Sequence, residues 1–167
     1  MNFYSELESP LGTLLACASE RGLRSLVFVQ GTSSMPMTHS RRDDDMPLLR
    51  ETQSQLEQYF AGTRKAFAIP LDLQGTSFQQ AVWRALLALP FGATTSYRAI
   101  AFALGNASAL RATGSAIGRN PVAIIVPCHR VLGSAGGLPC ARRKRSVHDG
   151  KMKPCPPGLP VRAGLKR

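Results

Sequence analysis

Apolar positions in the first 30 residues recur in short alternating runs, the period typical of half-buried strands. The runs cover residues 3–8, 13–18 and 23–29. Turn residues separate them, Ser9-Pro10-Leu11-Gly12 after the first run and Gly22 after the second. The pattern predicts strands joined by tight turns.

The chain then changes character twice before residue 70. Residues 31–47 are rich in Ser, Thr, Met and Asp, and this composition predicts a loop. From Pro47 to Phe60 the apolar side chains return at helical spacing, with Gly62 as a stop. The first 70 residues therefore predict a small α/β unit, and the sequence alone indicates no functional site in it.

Helical periodicity resumes at residue 77. Ser77 and Gln80 fit a capping box, and Pro90 follows the helix that they would begin. One face of this helix is apolar and carries Phe78, Val82, Ala85, Leu86 and Leu89. The pattern predicts an amphipathic helix that packs against a core.

Two shorter helices are predicted over residues 96–104 and 107–117. They meet around Gly105-Asn106, and the second ends before Asn120-Pro121 because proline disfavours helix in the residue before it. Two helices joined in this way have the dimensions of a helix-turn-helix. Many helical hairpins bind nothing, so this pattern by itself is weak support for DNA binding.

Residues 127–131, Pro-Cys-His-Arg-Val, are the most informative stretch of the chain. They follow an apolar run, Val122–Val126, that we interpret as a buried strand. A cysteine beside a histidine can be held partly as thiolate, which is both the nucleophile and the metal-binding form. Polar groups that interrupt an apolar run need partners. The stretch therefore favours a reactive thiol over a structural cysteine.

Composition excludes several classes of protein. No apolar run is long enough to span a membrane, and residues 1–12 lack the basic-then-apolar order of a secretion signal. The four cysteines share no Cys-x-x-Cys spacing, which predicts neither a metal site nor a disulfide framework. We expect reduced thiols in the cytosol.

The net charge of +11 is unevenly distributed. Residues 1–70 carry seven Lys or Arg against eight Asp or Glu, residues 71–139 carry five against one, and residues 140–167 carry nine against one. The middle segment is basic within sequence that is predicted to fold, which suits a polyanionic partner. The larger charge of the last segment says less, because a basic tail can simply remain solvated.

Several groups of residues resemble, in order and spacing, the O6-alkylguanine-DNA alkyltransferases, also called methylated-DNA–protein-cysteine methyltransferases. The resemblance covers residues 3–138, weakly up to 75 and strongly over 76–134. The residues that carry it are Phe78–Trp83, Pro90-Phe91-Gly92, Thr95-Ser96-Tyr97, Arg111-Ala112, Gly118-Arg119-Asn120-Pro121 and Pro-Cys-His-Arg-Val.

The resemblance implies an α/β fold in two parts. A small sheet-containing, ribonuclease-H-like domain is expected over residues 1–72. A helical catalytic and DNA-binding domain with a helix-turn-helix is expected over residues 73–138. Residues 139–167 are expected to form a divergent, basic and disordered tail.

The same resemblance implies a reaction at Cys128. An alkyl group would move irreversibly from guanine O6 to the thiol, so each molecule acts once, as a suicide enzyme. His129 would take the thiol proton through a water, Tyr97 would donate to guanine N3, and Asn120 would brace the turn that carries the cysteine. No metal and no organic cofactor is expected.

The implied partner is double-stranded DNA containing O6-alkylguanine, whose base must leave the stack to be reached. Arg111 matches the residue that fills the vacated space, and Ala112, Ser115 and Arg119 are expected at the DNA. Val131 and Tyr97 are expected in the base pocket. We expect a monomer with no membrane association, in the cytoplasm with the nucleoid, or in the nucleus of a eukaryote.

The resemblance stops after Leu138. The family's loop over the flipped base and its apolar last helix are missing, and so is the glutamate that orients the histidine. Asp149 could stand in for that glutamate after a short deletion. The loss of apolar periodicity suits a foreign reading frame or an alternative ending better. Either ending leaves the competence of Cys128 open.

Two other functions stay open at this point. A lesion-binding protein without transfer activity is disfavoured by the presence of Cys128. A cysteine hydrolase or another thiol enzyme is disfavoured by the helix-turn-helix and by Arg111.

Overall fold

The computed structural model describes residues 1–29 and 40–133. Its first part is a four-stranded sheet in the order β3-β2-β1-β4. Neighbours pair antiparallel except β4, which is parallel to β1. The strands are β1 (Asn2–Leu7), β2 (Leu14–Ser19), β3 (Gly22–Phe28) and β4 (Ser40–Arg42). The predicted strands are confirmed within one residue at each end, whereas β4 lies in a segment predicted to be a loop.

Helix α1 (Pro47–Phe60) covers the sheet and has the bounds that its sequence predicts. Proline occupies the first turn, and the chain leaves the helix through Gly62 at φ 78°. Leu49 and Leu56 are buried on its inner face. The core of this part combines them with the sheet residues Leu7, Leu14, Ala16, Ala18, Leu23 and Leu26.

Gly22 permits a close approach between β3 and a following extended segment. The amide of Leu23 donates to the carbonyl of Pro70 at 2.8 Å, and the amide of Asp72 donates to the carbonyl of Leu23 at 2.9 Å. A Cβ at residue 22 would lie 2.7 Å from the oxygen of Pro70. The glycine is therefore a steric requirement of this pairing.

The remaining elements are mainly helical. They are α2 (Ser77–Leu87), β5 (Thr95–Ser96), α3 (Tyr97–Ala103), α4 (Leu110–Gly118), a 3-10 turn (Cys128–Arg130) and β6 (Val131–Leu132). Thr76 and Gln79 form the capping box of α2, so the prediction of Ser77 and Gln80 is wrong by one residue. A buried hydrogen bond from the indole of Trp83 to the carbonyl of Ala116, 2.9 Å long, ties α2 to α4.

Val122 and Ile124–Val126 are buried and Ala123 is half-buried, but these residues do not form the predicted strand. Val122 forms an isolated parallel bridge with Leu26, and the chain then turns sharply at Ile124. An apolar run of this length reports burial rather than backbone conformation. The prediction of a strand here is wrong for that reason.

The chain divides into two compact units. The first contains Met1–Gly75 and Pro121–Ile125; the second contains Thr76–Asn120 and the chain from Val126 onward. Among the residues described, no helix is long and apolar enough to cross a bilayer. The predictions for residues 139–167, including Asp149, lie outside the described residues.

Candidate active site

Cys128 begins the one-turn 3-10 helix that follows Pro127. The amide of Cys128 donates to the carbonyl of Val126 at 2.8 Å, and the carbonyl of Cys128 accepts from the amide of Val131. The residue is of intermediate exposure. Main-chain bonds on both sides therefore fix the cysteine, while its side chain is not sealed in the core.

Asn120 is joined to the same carbonyl. Its Nδ2 donates to the oxygen of Val126 at 2.8 Å, so this oxygen accepts from both Asn120 and the amide of Cys128. The side chain of Asn120 thereby links the two residues that flank the segment 121–125. The structure thus brings Asn120 to the turn that carries the cysteine.

A short parallel strand pair brings Tyr97 toward the same turn. Thr95 pairs with Val131, and Ser96 pairs with Leu132. Tyr97 directly follows β5, and Cys128–Arg130 directly precedes β6. The two groups are therefore adjacent to two strands that pair with each other. Sequence reasoning missed this pair because strands of two residues are too short to leave a periodic pattern.

The Tyr97 side chain lies at the start of α3 and against α4. Ser96 caps α3 by accepting from the amide of Ala99 at 3.1 Å. An added Cβ on Gly114 would be 3.6 Å from the Tyr97 ring, so the ring packs over this glycine. Tyr97 is half-buried, which leaves part of its side chain accessible.

His129 lies beside the cysteine in an environment that favours its neutral form. Burial lowers the pKa of the imidazole to about 4, with a further contribution from the positive charge of Arg130. Its Nε2 is buried and has no hydrogen-bond partner within the described part of the chain. A buried nitrogen of this kind is costly without a partner. The proposed partner, Asp149, is outside that part.

Arg130 supports the turn. Its guanidinium donates to the carbonyl of Pro90 at 3.2 Å and lies over the ring of Phe91, 5.4 Å from the ring centroid. Both contacts are with the loop that follows α2. Arg130 therefore holds the 3-10 turn against that loop and at the same time disfavours protonation of His129.

Helix α4 presents a polar face. Arg111, Ala112 and Arg119 are exposed, and Ser115 is half-buried. The opposite face is buried and carries Thr113, Ala116 and Ile117. Arg111, Ser115 and Arg119 recur every four residues, so they follow one another along the helix surface.

Val131 differs from the expectation for a residue of the base pocket. The whole residue is buried, with no exposed surface in this structure. Among the described residues, no group of three or more His, Cys, Asp or Glu could hold a metal ion.

Comparison with known families accounts for both units. Residues 2–73 match the family model of the 6-O-methylguanine DNA methyltransferase ribonuclease-like domain. Residues 77–150 match the model of the 6-O-methylguanine DNA methyltransferase DNA binding domain. The chain belongs to this family.

Similar members of the 6-O-methylguanine DNA methyltransferase family extend over most of the chain. A methylated-DNA–protein-cysteine methyltransferase from Methanosarcina acetivorans is 44% identical over 136 residues, which are 81% of this chain and 86% of that protein. The constitutive enzyme of Bacillus subtilis is 41% identical over 140 residues, 83% and 85% of the two chains.

Solved structures agree with this assignment. The O6-methylguanine methyltransferase of Mycobacterium tuberculosis has a TM-score of 0.76 at 43% identity, covering 81% of each chain. A structure of the same organism's protein in complex with DNA has a TM-score of 0.73 at 44% identity, again covering 81% of each chain. The α/β fold with a ribonuclease-like first domain, expected from the resemblance, is confirmed.

Proposed function

We propose that this protein repairs O6-alkylguanine in double-stranded DNA by moving the alkyl group irreversibly to Cys128. The observation that carries the proposal is the position of the thiol. Cys128 is fixed by main-chain bonds at the start of a turn, beside a neutral imidazole, in a chain of the methyltransferase family. The lesion-binding and thiol-hydrolase alternatives have no observation of this kind in their favour.

The reaction balances without an added reagent. The sulfur of Cys128 attacks the alkyl carbon, the carbon–oxygen bond breaks, and its electron pair returns to the guanine. The proton that leaves the thiol ends on the released base. Thiolate is the reactive form, and the proposed role of His129 is to accept the thiol proton. Burial by itself makes this imidazole a weak acceptor, because it lowers the pKa of His129. The thioether product is stable, and one molecule therefore repairs one base.

Tyr97, Asn120 and Val131 complete the proposed base site. Tyr97 donates its hydroxyl proton toward the leaving guanine, which gains negative charge in the transition state. Asn120 keeps the turn in place through the carbonyl of Val126. The carbonyls of Cys128 and Val131 receive the exocyclic amine of the base.

The exposed face of α4 is the proposed DNA surface. Arg111 fills the space left by the flipped base. Ala112, Ser115 and Arg119 contact the sugar-phosphate backbone of the DNA next to that space. Inserting a side chain into the stack offsets part of the cost of removing the base. The protein acts as a monomer. Its proposed location is that of the DNA it repairs, the nucleoid or, in a eukaryote, the nucleus.

Asp149 is the proposed partner of His129. The buried Nε2 of His129 needs a hydrogen-bond partner, and the family match extends to residue 150 and so includes Asp149. A carboxylate here would favour the imidazolium and raise the pKa of His129 above the value set by burial. A short acidic side chain in the altered ending could thus replace the family's glutamate.

Intact-mass analysis tests the proposed function. The protein is incubated with a duplex that carries one O6-methylguanine, and its mass is compared with that of Cys128→Ser and Cys17→Ser variants. The wild type and Cys17→Ser gain one methyl group, whereas Cys128→Ser gains none. Cys17 is the matched control because it is a second half-buried thiol, on strand β2. Binding of the duplex without any mass gain would favour the lesion-binding alternative.

A further inference from the structure

Ile124 has a backbone conformation that isoleucine rarely adopts. Its φ is 70°, and it is the one residue other than glycine with positive φ in the described part of the chain. A β-branched side chain at positive φ is a steric outlier. Such outliers persist only where surrounding structure enforces them, and they concentrate at functional sites.

Two consecutive tight turns, over residues 123–125 and 126–128, connect Ile124 to the cysteine. The amide of Ile125 donates to the carbonyl of Ala123 at 2.8 Å and closes a three-residue γ-turn around Ile124. The amide of Cys128 donates to the carbonyl of Val126 at 2.8 Å and closes a second turn around Pro127, which has φ −82° and ψ 63°. The first turn therefore sets the direction in which the chain approaches the second.

The strained turn is held at both ends. On its first side, the amide of Leu26 donates to the carbonyl of Pro121 at 2.9 Å, and the amide of Ala123 donates to the carbonyl of Leu26 at 2.8 Å. On its second side, Asn120 binds the carbonyl of Val126. These bonds leave the backbone of Ile124 few alternatives.

Glycine is the residue that normally occupies positive φ, and its absence here has an explanation. The side chain of Ile124 is only 8% exposed, so it contributes to the core as glycine could not. Isoleucine is also stiff about χ1. A buried, stiff side chain fixes a turn more firmly than glycine, which would tolerate many other conformations.

We propose that Ile124 is a positioning residue for alkyl transfer, and that its strained, anchored turn places Cys128 at the distance and angle that the flipped base requires. This inference rests on the proposed function and adds the segment 121–125 to its machinery. Ile124 acts through the carbonyl of Val126 and the amide of Cys128.

Three substitutions at residue 124 test the proposal. Ile124→Val keeps the branched, buried side chain, Ile124→Ala keeps only Cβ, and Ile124→Gly removes both the anchor and the restriction on φ. The transfer rate constant is measured at saturating methylated duplex and is expressed per folded molecule. We expect Ile124→Gly to be slower than wild type by about tenfold or more, with the Kd for the duplex unchanged. Ile124→Val should stay near the wild-type rate, with Ile124→Ala between them.

The melting temperatures test the strain itself. Glycine is ordinarily less stabilising than alanine, but at positive φ the order reverses. Ile124→Gly should therefore melt at or above Ile124→Ala. Ile125 is the matched control, since it is 7% exposed but has no positive φ. At that position the glycine variant should melt below the alanine variant.

Hydrogen exchange at the amide of Cys128 gives a readout that does not depend on transfer. It should be faster in Ile124→Gly than in Ile124→Val at equal global stability. Equal exchange, or a transfer rate in Ile124→Gly equal to that of wild type, would overturn the proposal. A wild-type protein that gains no methyl group would instead refute the proposed function, and the exchange measurement would still decide the role of the turn.

Discussion

At the scale of single residues, the site is defined by what surrounds Cys128 and His129. The sequence placed the thiol and the imidazole side by side, and the family resemblance assigned their roles. The sequence did not predict that Asn120 and the amide of Cys128 both donate hydrogen bonds to the carbonyl of Val126. Nor did it predict the positive φ of Ile124, because a sequence motif carries no sign of backbone strain.

The titration of His129 gives a prediction at this scale. An Asp149→Asn variant lacks the proposed carboxylate, and we expect its His129 to have the pKa of about 4 that burial and Arg130 set, against an ordinary 6.5. Because that pKa is depressed, the unfolded chain takes up the proton first as pH falls, and folded stability decreases. The free energy of unfolding should drop by about 2 kcal/mol more between pH 7 and pH 5 than in Asp149→Asn/His129→Gln. Denaturant unfolding at both pH values measures this.

The wild-type protein completes that experiment. If Asp149 pairs with His129, the folded pKa is higher and the wild type loses less stability than Asp149→Asn over the same range. Equal losses in these two proteins would contradict the pairing. Equal losses in Asp149→Asn and the double variant would contradict the depressed pKa.

At the scale of elements, periodicity predicted most of the fold. Helix α1 has its predicted bounds, and α3 and the first strands agree to within a residue. The elements that were missed or wrong have physical reasons. Strands β4, β5 and β6 have two or three residues and leave no periodic pattern. Most of the run at 122–126 is buried by tertiary contacts without forming a strand.

Two glycines in these elements should respond oppositely to alanine. Gly22→Ala places a Cβ against the main chain of Pro70, which cannot move aside cheaply, and should cost about 1–3 kcal/mol of unfolding free energy. Gly114→Ala meets only the Tyr97 ring at 3.6 Å and should gain up to about 1 kcal/mol from helix propensity. Thermal or denaturant unfolding distinguishes the two. A neutral Gly22→Ala would show that the pairing with residues 70–72 is not close.

At the scale of the whole molecule, charge separates the segments of the chain. The segment 1–70 is nearly neutral, while residues 71–139 are basic and include the exposed arginines of α4. Composition predicted this division, but it did not locate the charge on one helix face. That required the packing of Thr113, Ala116 and Ile117, which turns Arg111 and Arg119 outward.

Removing one of these charges should change how DNA affinity depends on salt. Arg119→Gln should reduce the slope of log affinity against log salt concentration by about 1, because one phosphate contact releases about one counterion. Arg50→Gln removes the same charge from α1 and should leave the slope unchanged. Fluorescence titration of a labelled duplex over a salt series measures both. An equal change in the two variants would contradict the assignment of the DNA surface to α4.

The central claim is that Cys128 accepts one alkyl group from DNA and is not regenerated. The most direct measurement digests the protein after incubation with excess O6-methylguanine duplex and then locates and counts the transferred methyl groups by mass spectrometry. We expect a single methyl group per protein molecule, on the peptide that contains Cys128. Repair of several lesions by each molecule, or a methyl group on any other residue, would contradict the account.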